Sequence, residues 1–86
     1  MISNTSFSDL YAYVVHEVRN IKPGESFIIS DLFKGYEWKR IGGGDRRRLG
    51  GAFYGWTLGD EGKRLVKATD KTAQNQQKYI GMQAEE

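Results

Sequence analysis

The residues best suited to chemistry lie in one stretch, GGGDRRRLGGAFYGW, positions 42 to 56. Arg46, Arg47 and Arg48 stand in a row after three glycines and before apolar residues at helical spacing. A guanidinium is permanently charged and offers its N–H donors in a flat fork, so its chemistry is the recognition of anions, phosphates above all. It also sits badly with the electrostatics of a helix start. The backbone dipole already puts partial positive charge there, and each exposed arginine costs about 0.3–1 kcal/mol. A phosphate reverses the sign, because free backbone N–H groups and guanidinium forks both favour it.

Catalysis has far less to work with. The chain has one histidine, no cysteine and no carboxylates at motif spacing, so neither a nucleophile–base pair nor a metal set can be assembled. No cofactor is implied. His16 falls off the apolar stripe of its segment and is given no role. Glycines 42 to 44 are not a nucleotide phosphate loop, since no Gly-Lys-Ser/Thr follows.

The charge is distributed to match the arginines. Net charge is only +2, yet residues 34 to 78 carry eleven Lys or Arg against five Asp or Glu. The first 33 residues carry Arg19 and Lys22 against Asp9, Glu17, Glu25 and Asp31, and Glu85 and Glu86 close the chain. The second half is thus where a polyanion would be met. With 86 residues, 38% of them apolar, the chain has room for one small core, a single domain over 1–86. Absence of cysteine, of a long apolar run and of a secretory-type start points to a cytoplasmic protein with no membrane partner.

The elements that must position the arginines follow from spacing. Phe7, Leu10, Tyr11, Val14, Val18 and Ile21 recur at three- and four-residue steps, which predicts an amphipathic helix capped by Ser6, with Asp9 favouring its dipole. Pro23-Gly24 ends it. GESFIIS, residues 24 to 30, reads as a short strand through Phe27, Ile28 and Ile29. Ser30 reads as the cap of a second helix starting Asp31-Leu32-Phe33, which Gly35 breaks into two short pieces before Tyr36, Trp38 and Ile41. The triple glycine is a turn, Asp45 a cap, and a third helix starts on the arginines and buries Leu49, Ala52, Phe53 and Trp56. Gly59 and Gly62 bracket Asp60 and Glu61 in a turn. Leu65, Val66, Ala68 and Thr69 make one strand and residues 78 to 82 another, with a polar tip at 72 to 77. The fold class predicted is α+β, a winged helix-turn-helix: three helices, a short strand and a C-terminal β-hairpin wing.

At about 100° per residue, the stripe of the third helix leaves Arg47, Gly51 and Tyr54 on its outer face, with Arg46 and Arg48 on the flanks. Arg47 is the candidate for reading a guanine edge, and Arg46 and Arg48 for clamping phosphates. Lys39 and Arg40, with Lys34, could hold one strand, while Lys67, Lys71 and the tip residues Gln74, Asn75 and Gln76 could lay a wing on the backbone or in the minor groove. The competing structural reading pairs the arginines with Asp31, Glu37 or Asp45 on the surface. Gly50, Gly51 and Gly55 sacrifice about 1 kcal/mol of helix propensity each, explained by close backbone approach or by a short, irregular helix.

The run FIISDLFKGYEWKRIGGGDRRRLGGAFYGW resembles a family of small uncharacterised proteins of Gram-positive bacteria and their phages. The matching positions are Phe27, Asp31-Leu32-Phe33, Trp38, Arg46-Arg47, Leu49-Gly50 and Phe53-Tyr54, with Asn75, Gln77 and Tyr79 in a closing segment, about residues 25 to 82. The resemblance implies a winged-helix-like fold and carries no activity across. The partner expected is double-stranded DNA, with the third helix in the major groove. The alternative is an adaptor or inhibitor docking on a host or phage protein through the same Arg and Tyr surface. Single strands come third, and a second copy of the chain is a candidate partner for paired half-sites.

Overall fold

The computed structural model describes residues 6–82. The first helix, α1 (Phe7–Glu17), starts where Ser6 accepts a hydrogen bond from the Asp9 amide at 3.3 Å. It passes into a 3-10 turn, Val18–Asn20, and its apolar stripe buries Leu10, Val14 and Val18. Strand β1 (Ser26–Phe27) is only two residues long. The expected strand through Ile28 and Ile29 stops short, because Asp31 accepts the Ile28 amide at 3.0 Å and pulls the chain into a 3-10 turn, Ile29–Leu32. Ser30 therefore caps nothing, and no helix starts at Asp31.

Helix α2 (Gly35–Lys39) begins on the glycine expected to break it, with Glu37 accepting the Lys34 amide at 3.1 Å. Two short helical pieces result, a 3-10 turn and α2, but the break between them falls at Phe33 and Lys34 and not at Gly35. Helix α3 (Gly43–Thr57) starts at the second glycine of the triplet, with Gly42 as its cap and Asp45 inside its first turn. The Arg46 amide already bonds to the Gly42 carbonyl at 2.9 Å, so the arginines follow the free first-turn amides instead of carrying them. The turn expected around Gly62 contains a fourth helix, α4 (Gly62–Leu65).

The chain closes with β2 (Val66–Lys71) and β3 (Gln77–Gly81). The sheet is antiparallel in the order β1-β3-β2: Tyr79 pairs with Phe27 on one side and Ala68 on the other, and a bulge lies between Ala68 and Lys71. Among the described residues the fold is α+β, with four helices where three were expected, and a small three-stranded sheet. Among the described residues no helix is long and apolar enough to cross a membrane.

The core joins α1, α3 and the sheet. Leu49, Phe53, Val66 and Tyr79 are buried beside the α1 residues, and Phe27, Phe53 and Tyr79 form a ring cluster with centroids 4.9–6.5 Å apart. Burial of each large apolar side chain contributes about 1.5–3 kcal/mol. A second aromatic line, Tyr13–Phe33–Trp38, runs at 5.0 and 5.5 Å, and the Tyr13 hydroxyl donates to the Leu32 carbonyl at 2.9 Å. That line ties α2 to α1 and fixes where Trp38 stands. Two glycines admit close backbone contacts. A Cβ on Gly81 would lie 2.4 Å from the Lys22 carbonyl oxygen, and one on Gly62 would lie 2.0 Å from that of Trp56.

Candidate anion-binding cleft

Between the outer face of α3 and the tip of the β2–β3 hairpin lies a cleft of about 680 Å³. Arg46, Arg47, Gly50, Gly51 and Tyr54 line it from α3, and Lys71, Asn75, Gln76 and Gln77 from the hairpin. Trp38, Tyr79 and the 28–30 segment complete it. Three of the lining side chains are cationic, and none is a carboxylate. The cleft therefore presents uncompensated positive charge beside carboxamides and hydroxyls that both donate and accept.

The arginines differ in what already holds them. Arg46 is half-buried: one Nη donates to the Trp38 carbonyl at 2.9 Å, and the guanidinium lies 5.0 Å from the centre of the Trp38 ring. Its Nε is buried without a hydrogen-bond partner among the described residues. Arg48 turns to the other flank, 4.0 Å from the centre of the Phe7 ring on α1, and does not line the cleft. Arg47 is exposed, one wall of the cleft. None of the three pairs with Asp31, Glu37 or Asp45. Asp31 and Glu37 cap backbone amides, and the described ion pairs are Arg19–Glu61 and Lys63–Asp60, both on exposed side chains.

The opposite wall is locally built. The Thr72 hydroxyl accepts the amides of Gln74 and Gln76 at 3.2 and 3.1 Å, and Asn75 takes a left-handed conformation with φ of 66°. Asparagine tolerates that region better than most residues. The Gln77 Nε2 lies 2.7, 3.3 and 3.0 Å from the carbonyls of Thr69, Asp70 and Lys78, which fastens the bulge. At the floor, burial pushes the Tyr79 phenol up to about 12, with Tyr54 adding to the shift. Its hydroxyl stays protonated at neutral pH.

Of the residues singled out from the sequence, Arg46, Arg47, Tyr54, Lys71, Asn75 and Gln76 meet in the cleft. Lys39, Arg40, Arg48, Lys67 and Gln74 do not line it. Lys67 sits four residues along β2 from Lys71, about 13 Å away at strand rise, while Arg40 lies over the Tyr36 ring at 5.1 Å. Trp38 and Gln77 belong to the family pattern but were not named as site residues, yet both line the cleft. No local pattern marks Trp38, because the arginine that covers it stands eight residues on, across a turn.

These features define a small α+β domain with a basic cleft between its longest helix and a C-terminal hairpin. The chain belongs to the family described as Domain of unknown function (DUF1413), which it matches over residues 12–80. The match begins inside α1, upstream of the segment that carried the resemblance. No curated protein and no solved structure matches the chain.

Proposed function

We propose that this domain binds double-stranded DNA in the manner of a winged helix, with α3 entering the major groove and the hairpin contacting the backbone. The observation that carries the reading is the cleft's lining, with Arg46, Arg47 and Lys71 and no carboxylate. The order helix, strand, helix, helix, hairpin, with the short α4 set between α3 and the hairpin and β1 paired to β3, supports it. Arg47 is the side chain for a guanine edge, since it is exposed and lies on neither aromatic ring that holds its neighbours. Lys71 is the backbone contact. The domain binds and does not catalyse, within the cytoplasm, in transcription or in phage or host DNA transactions.

Titration of labelled duplex at several salt concentrations tests the reading. Four to six phosphate contacts give a log–log slope between about −3.6 and −5.4. Arg47→Ala is expected to relax sequence preference, losing about 1–3 kcal/mol on the preferred site, and Lys71→Ala to weaken all duplexes alike. A slope near zero, or variants indistinguishable from the parent chain, rejects it. A protein-docking role has one observation of its own. Tyr36 is 53% exposed, away from the cleft, with Lys34 and Arg40 over its ring, and Tyr and Arg are enriched at interface hot spots.

A further inference from the structure

Part of the α3 wall of the cleft is bare helix. Gly50 and Gly51 both line it, and a Cβ added to either would meet nothing within 4 Å. Both lie well inside a 15-residue helix, where glycine is the poorest ordinary residue after proline. Close packing within the chain does not explain them, and neither does an irregular helix, because α3 runs unbroken through both. Their lack of side chains leaves the α3 backbone open to whatever enters between Arg47 and Lys71.

The walls say what that is. Cationic groups stand on both sides, carboxamides on one, and no acid is present, so the occupant is anionic and carries hydrogen-bonding oxygens. The volume lies within the range of about 300–1,000 Å³ that fits a ligand segment and is far too small for a whole duplex. We infer that one sugar-phosphate strand lies in this cleft directly against the α3 backbone at Gly50 and Gly51, held from the hairpin side by Lys71, with Arg47 reaching past it to the bases. The inference rests on the DNA-binding reading and adds to it a contact made by the absence of side chains. A methyl group at either glycine would stand where the strand has to lie.

Gly50→Ala, Gly51→Ala and Gly55→Ala in the full chain test this. Gly55 is the control, with the same open surroundings on the same helix but outside the cleft. Each variant is melted and titrated with a fluorescein-labelled mixed-sequence duplex of about two helical turns. All three are expected to melt at or above the parent temperature. Gly50→Ala and Gly51→Ala should lose at least about tenfold in duplex affinity, while Gly55→Ala binds as the parent does. Unchanged affinity in the first two, at undiminished melting temperature, overturns the inference. If Arg47→Ala still weakens the duplex in that case, the DNA reading survives alone. A lowered melting temperature in the glycine variants also overturns it, since the space would not be open. If the parent chain binds no duplex, both fall together.

Discussion

Two sets of glycines in this molecule obey opposite rules. At Gly62 and Gly81 the backbone of another segment comes so close that any side chain would collide with a carbonyl oxygen. At Gly50 and Gly51 nothing is near, although the helix would be steadier with alanine there. In the first region composition answers to the chain's own packing. In the second it runs against the helix without gaining a contact, and it is the place in the cleft, which Gly55 lacks, that we connect with the strand inferred above.

Several substitutions would break or sharpen that contrast. Gly62→Ala should cost more than about 3 kcal/mol in urea unfolding, because the collision is with backbone and cannot be relieved by a rotamer. A small loss would show that the α3–α4 junction yields, and the contrast would collapse. Tyr79, where the core meets the cleft, gives the next effect. Its phenol is pushed up to about 12 when folded, against an ordinary value near 10, so the fold favours the neutral form. That contribution is complete below pH 10 and is lost as pH rises from 10 towards 12, at most about 2–3 kcal/mol. Tyr79→Phe should flatten this alkaline fall in a pH series of unfolding curves.

Smaller changes separate the arginines. Arg46→Met should destabilise by about 1–2 kcal/mol, through loss of the Trp38 carbonyl bond and the ring contact. Arg47→Ala should stay within about 0.5 kcal/mol of the parent chain. Equal losses in the two would mean that the exposed arginine is also structural. Least of all, Glu61→Gln should change stability by under about 1 kcal/mol, since its ion pair with Arg19 joins exposed side chains.

Local signals explain what was legible beforehand. The α1 stripe and its Ser6 cap involve residues three and four apart, and so do Leu49 and Phe53 on α3. The hairpin tip was readable from its polar run. The 3-10 turn at Ile29–Leu32 was not, because β-branched residues suggest a strand while the competing bond from the Ile28 amide to Asp31 is visible only in three dimensions. Poor helix propensity concealed the true start of α3 at Gly43. In the site, Arg47 and Lys71 could be named from charge alone. That Arg46 leans on Trp38 and Arg48 on Phe7 depends on how α1, α2 and α3 pack, which no window of sequence contains.

The amide of Gln77 has a wider consequence. One nitrogen with two hydrogens faces three carbonyls, all belonging to the hairpin, and so braces the bulge next to the tip. The hairpin side of the cleft is thus braced within one contiguous segment, from β2 to β3. Transplanting the 66–81 segment between relatives should carry the donor's hairpin wall with it, a modular way to alter what the domain grips while its interior stays as it was.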